Sequence, residues 1–300
     1  MNVAPLRASS TDDSAESLIR LAGALAVAHL VVGVAPMAIY VRRGGTLAPL
    51  LAHLVALSFG AVVLASRRRS LRPLRDWLPL LLGPFLYIEL RWLIAGVGRP
   101  HADALIQGWE LALFPSNPAA TWASALPLRW LSEALHFAYA SYYLLVYVPP
   151  ALLYLRGRRD AYAVTLLALA VVYGVCFLTY VVFPVDGPRF LTGPATAPDG
   201  PIRSFVVHLL QTGSSRGTAF PSSHVAASVV ASLAALRYQR RVGIVVAVLT
   251  GGLAVGAVYG GYHYLVDVLV GAIVGVVAWL LARALCRALS TPGAQSASAA

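Results

Sequence analysis

Three features of the sequence point to an all-α, polytopic transmembrane bundle of about eight spans. Hydrophobic residues make up 59% of the 300 residues and charged residues only 12%, more apolar surface than a soluble core of this size can bury. Apolar runs of roughly 16 to 25 residues recur along the chain, close to the length that crosses a hydrocarbon core. The charge left over is a net +11 carried by arginine, with no lysine, in short clusters between those runs.

The runs follow in order. The first sixteen residues are polar and carry Asp12, Asp13 and Glu16. The run after them, Leu18–Tyr40, is too long for the apolar stretch of a signal peptide and is expected to stay as the first span. Thr46–Ala65, Trp77–Val97, Leu131–Leu155, Tyr162–Phe183, Pro221–Leu236, Val242–Tyr259 and Tyr264–Ala284 complete the set, the sixth being short. Helices are expected because a backbone in lipid must satisfy its polar groups within the segment.

Arginine clusters follow spans two (Arg67, Arg68, Arg69, Arg72, Arg75), four (Arg156, Arg158, Arg159), six (Arg237, Arg240, Arg241) and eight (Arg283, Arg287). With eight spans they share one side, which the positive-inside rule makes cytoplasmic; only Arg42–Arg43 oppose this. Such placement suits lipid headgroups, not nucleic acid. The expected setting is a bacterial inner membrane, with both termini cytoplasmic. Two longer segments lie on the opposite face. One, Arg99–Arg129, holds Trp109, Phe114 and Trp122 and reads as a partly helical interfacial stretch. The other, Val185–Phe220, is rich in Gly, Pro, Ser and Thr. The tail after Ser290 is small and polar and is expected to be disordered. Cys176 and Cys286 read as small hydrophobes.

Ionisable groups beside apolar spans are costly and need a reason. Arg189, His224, His263 and Asp267 all fall on the outer face. His263 and Asp267 are four apart, so a carboxylate can meet the ring and leave the other nitrogen nucleophilic. Pro221, Ser222 and Ser223 open a helix whose free N–H groups suit an anion, Arg189 can grip phosphate oxygens, and Gly260 and Gly261 permit close backbone approach. His29, His53 and His208 read as structural. His136, Tyr139 and Tyr143 share a helix face, either lining a substrate groove or forming an interfacial stripe. Glu89 and Arg91, two apart, do not face one another, yet a transporter using them is the alternative to an enzyme. His101 and Asp103 alone are a weak metal signal.

The segments Phe220–Ala226 (Phe-Pro-Ser-Ser-His-Val-Ala) and Val258–Val268 (Val-Tyr-Gly-Gly-Tyr-His-Tyr-Leu-Val-Asp-Val) resemble the type-2 phosphatidic acid phosphatase superfamily. Val182 stands where its first motif usually has lysine, and Ala257 where its third has arginine. That combination is similar to the branch that includes inositol phosphorylceramide synthases, as are Leu113-Phe114 and Ser141-Tyr142-Tyr143. The resemblance implies a six-span core over 77–290, preceded by a tail and two extra spans over 1–76 and followed by the tail 291–300. It also implies a lipid phosphate or phosphodiester as substrate. His263 would be the nucleophile backed by Asp267, His224 the general acid, and Arg189, Ser222 and Ser223 the phosphate ligands, with no cofactor and no metal. The partners expected are the lipid phosphate substrate and membrane lipids; the oligomeric state stays open.

Overall fold

The computed structural model describes residues 7–191, 193 and 195–290; the expected disordered tail 291–300 lies outside them. The described chain is helical, without a strand. Its helices are α1 (Arg7–Arg42), α2 (Ala48–Ala65), α3 (Arg72–Val97), α4 (Asp103–Leu113), α5 (Pro118–Ala125), α6 (Arg129–Ala140), α7 (Tyr142–Leu155), α8 (Arg159–Val182), α9 (Pro188–Leu191), α10 (Pro201–Gly213), α11 (Ser223–Tyr238), α12 (Arg240–Tyr259) and α13 (Leu265–Ser290).

Six of these, α1, α2, α3, α8, α12 and α13, are long and apolar enough to cross a membrane. The fourth expected span is a bent pair, α6 and α7, meeting at 45° around Ser141, whose hydroxyl turns back onto the Ala138 carbonyl at 2.6 Å. The short sixth run is α11, 16 residues long and enclosed by α7, α8, α12 and α13. Every expected span is therefore a helix.

A helix that is apolar all round belongs inside a bundle, and α8 is such a helix. All ten residues from Ala161 to Ala170 are buried, against neighbours that include α1, α3, α11 and α13. The outer helices present apolar side chains outward instead, as Val55 and Val62 on α2 and Val248 on α12 do. Lipid makes that arrangement favourable.

The α11 and α13 backbones touch almost directly. A Cβ built on Gly271 would stand 2.5 Å from the Ser222 carbonyl oxygen, and one on Gly275 2.5 Å from that of Ala226. Small residues at helix crossings permit this approach. At the arginine-rich end, Glu16 of α1 binds Arg75 of α3 at 2.8 Å and Arg159 of α8 at 2.7 Å, and Arg159 also meets Asp76 at 2.9 Å. Part of that basic cluster is thus spent on joining three helices.

On the other face the aromatic segment forms α4 and α5, as expected. The second outer segment contains α10, which its Gly, Pro, Ser and Thr content does not indicate. Pro201 at the first helical position starts it, and the Glu133 carboxylate accepts the N–H groups of Ile202 and Arg203, both at 3.0 Å.

Candidate active site

The ends of α8, α11, α12 and α13 remote from the arginine-rich end bring Arg189, Ser222, His224, His263 and Asp267 together. His263 stands in the turn before α13, not inside a helix. Its four-residue spacing to Asp267 still works, because the turn folds back over the first turn of α13. Gly261 allows this with φ of +68°, and Tyr262 and His263 both donate their N–H to the Ala257 carbonyl. The Asp267 Oδ2 accepts the Tyr264 N–H at 2.8 Å and lies 3.5 Å from His263 Nδ1. The Ala219 carbonyl is nearer to Nδ1, at 3.0 Å. With Nδ1 carrying the hydrogen toward these oxygens, Nε2 is the free base. It faces Ser222 Oγ at 3.3 Å.

His263 is only 4% exposed. Burial first, and the Arg189 guanidinium second, push its pKa down to about 4, against the pull of the Ala219 carbonyl. Both causes disfavour a cationic ring.

Ser222 caps α11 and also reaches His263. Its Oγ accepts the Val225 N–H at 3.4 Å, and its own N–H donates to the Asp267 carbonyl at 3.0 Å. Ser223 is oriented otherwise. It lines an aromatic cavity with His224, and its N–H donates to the Tyr180 hydroxyl. His224 is held by aromatic rings: Tyr142 at 4.2 Å between centroids and Tyr139 stacked at 5.5 Å. The His224 and His263 ring centroids are 6.3 Å apart, too far for a direct hydrogen bond.

Arg189 enters from the segment after α8. Its backbone N–H donates to the Gly261 carbonyl at 3.1 Å, and Nη2 donates to Ser214 Oγ at 2.5 Å. Among the described residues it has no carboxylate partner, and its buried Nε has no hydrogen-bond partner.

Sequence reasoning missed the groups that fix this frame. The fully buried Glu110 of α4 accepts the Leu265 and Val266 N–H groups at 3.0 and 2.9 Å, clamping the start of α13. Asp103 accepts the N–H groups of Asp186 and Gly187, both at 2.9 Å, and so steadies the approach to Arg189. The only available signal was their position as carboxylates in an otherwise apolar segment. Asp186 joins His101 and Asp103 in a group whose ligand atoms lie within 4.8 Å of one another, the one such metal-capable cluster among the described residues. Its carboxylates are engaged: Asp186 accepts from His101, Arg216 and the Gly217 N–H.

Tyr139, Tyr142 and Tyr143 line a cavity that runs from His224 toward Leu209 and Leu210 of α10. His136 packs on Tyr262 instead, 5.8 Å between centroids. Glu89 and Arg91 do not share a path. Glu89, 1% exposed, meets His53 of α2 at 2.7 Å, while Arg91 borders an open outer cleft. Cys176 is buried and Cys286 half-buried, and both are free thiols.

Residues 109–281 match the family model of the PAP2 superfamily. Neither a curated protein nor a solved structure is matched.

Proposed function

The chain belongs to the PAP2 superfamily, and from that premise we propose that it is an integral membrane enzyme transferring phosphoryl groups from a lipid phosphate or phosphodiester through a phosphohistidine. The observation that carries this reading is the pair of histidine rings 6.3 Å apart, with Arg189 and the start of α11 beside them.

His263 Nε2 attacks phosphorus in line, forming an N–P bond as the P–O bond to the lipid breaks. The positive charge arising on the ring is met at Nδ1 by the Ala219 carbonyl and by Asp267, whose Oδ2 lies 3.5 Å away. A phosphate anion beside His224 favours its protonated form, and that proton goes to the departing oxygen. His224 then takes a proton from water or another hydroxyl, which attacks phosphorus and releases His263. Charge on the equatorial oxygens is met by Arg189, Ser222 and the positive end of α11. Water as acceptor makes a phosphatase; a hydroxyl makes a headgroup transferase of the inositol phosphorylceramide synthase kind. The reaction needs no metal, and activity should survive EDTA.

The core carrying the chemistry spans 77–290, and α1 and α2 are additions to it. The membrane is a bacterial inner membrane with the site on its extracytoplasmic face, opposite the arginine clusters. A transporter reading loses support because Glu89 is closed into its pair with His53.

The test uses a panel of labelled lipid phosphates, with and without polyol acceptors. Wild-type protein should release phosphate or move the headgroup, and should trap an acid-labile phosphoenzyme. His263→Ala should lower turnover by at least about a thousandfold and trap nothing, as expected when a nucleophile is lost. Wild-type rates in that variant would remove the nucleophile assignment.

A further inference from the structure

A second cavity, of about 300 Å³, adjoins the site at Arg189, Gly260 and Tyr262, and the chemistry above uses only Arg189 of its lining. Its polar lining is Arg189, Arg203, Gln211, Ser214, Arg216 and Tyr262. Arg203 comes from the first turn of α10 and Arg216 from the segment after it, so the two ends of the outer loop close around one space.

Three guanidinium groups converge there, and two of them share a ring. Arg189 lies 4.5 Å and Arg216 5.3 Å from the centroid of Phe190. Gathering like charges is costly unless an anion lies among them. Two carboxylates face these three guanidinium groups, so that need is met only in part. Asp186, outside the lining of this cavity, pairs directly with Arg216 through Nε at 3.0 Å and through Nη2, and its other oxygen also meets His101. Asp199 pairs with Arg203 but is 82% exposed, so solvent screens its charge. Arg203 Nη2 is fixed in place by the Ala195 carbonyl at 2.9 Å. A single transferring phosphoryl is already met by Arg189, Ser222 and the start of α11, so Arg203 and Arg216 are not needed for it.

We infer that this cavity is a second anion subsite, formed by Arg203 and Arg216, for a phosphate that the substrates carry besides the phosphoryl under attack. The inference rests on the phosphoryl-transfer reading, and it narrows the substrate class to pairs that hold two phosphates between them. The second phosphate belongs either to the donor lipid or to the acceptor.

Calorimetry on the full chain in detergent tests it without turnover, using methylenediphosphonate and methylphosphonate as probes. The diphosphonate should bind wild-type protein at least tenfold more tightly, the margin that one added charge-assisted contact supplies. Arg203→Gln and Arg216→Gln should each cut that advantage below threefold. Equal binding of the two probes by wild-type protein, or an advantage retained in both variants, overturns the proposal. Turnover then identifies the source. A rise in kcat/KM when the donor lipid gains a second phosphate assigns the subsite to the donor. A rise when glycerol 3-phosphate replaces glycerol assigns it to the acceptor, and no rise in either arm also overturns the proposal. Undiminished turnover in His263→Ala would instead remove the phosphoryl-transfer reading, while the calorimetric comparison would still stand or fall alone.

Discussion

A buried imidazole is a nucleophile only while it lacks a proton, and His263 keeps that state well below neutrality. Its pKa is pushed down to about 4 from the ordinary 6.5. On a diester substrate, the acid limb of kcat/KM should appear only as the pH drops toward 4. A diester is needed because a monoester itself titrates near about pH 6. Arg189→Gln removes a cause of the depression and should move this acid limb to higher pH, whatever it does to binding. A wild-type limb centred at 6.5 would show that the ring is hydrated and that the nucleophile lies elsewhere. The same depression affects stability in the same direction. Between 6.5 and 4 the unfolded chain binds a proton that the native site refuses, so the contribution is complete above 6.5 and declines as the pH falls. His263, His224 and Arg189 were legible from sequence because ionisable groups stand out beside apolar runs. Glu110 and Asp103 were not, since their carboxylates serve backbone N–H groups more than eighty residues away, and no local pattern announces such a partner.

Helices set the spacing that these residues need, and the α11–α13 seam does so most directly. Gly271→Ala would put a methyl 2.5 Å from the Ser222 carbonyl, a backbone atom that cannot swing aside. Overpacking of this kind costs roughly 1 to 3 kcal/mol and here also moves His224 away from His263. Thermal unfolding in detergent should drop, and kcat should fall by about tenfold or more, since small misplacements of reacting groups carry such costs. Gly251→Ala on α12 is the control, with nothing within 4 Å of its added Cβ; it should be neutral or stabilising by up to about 1 kcal/mol. Unchanged kcat in Gly271→Ala would show that the seam does not set the site. The spans themselves were legible from the lengths of their apolar runs. The break at Ser141 was not, because hydropathy continues across it. Helix α10 was hidden by turn-forming neighbours, although Val206, Leu209 and Leu210 recur at helical spacing within it.

At the scale of the molecule, the two ends differ in what holds them. One end joins α1, α3 and α8 through Glu16, Asp76, Arg75 and Arg159; the other gathers the reacting groups under α10. Orientation is tested with cysteines at exposed positions on each end. Ser204→Cys on α10 should react with a membrane-impermeant thiol reagent on intact cells, and Ser70→Cys, between α2 and α3, only after permeabilisation. The reverse pattern would put the chemistry in the cytoplasm. Arginine distribution predicts this orientation, but it does not announce that Arg75 and Arg159 are consumed in ion pairs, which depends on helices far apart in sequence. The cavity beside His224 carries a last consequence. Its walls include Tyr143 and Leu209, both exposed on the outside of the bundle, so a lipid substrate as proposed would arrive sideways from the bilayer and not from solution. For such an enzyme the governing concentration is two-dimensional. Its rate should follow the mole fraction of substrate in the micelle or membrane, and diluting the whole suspension with buffer should leave the turnover number unchanged.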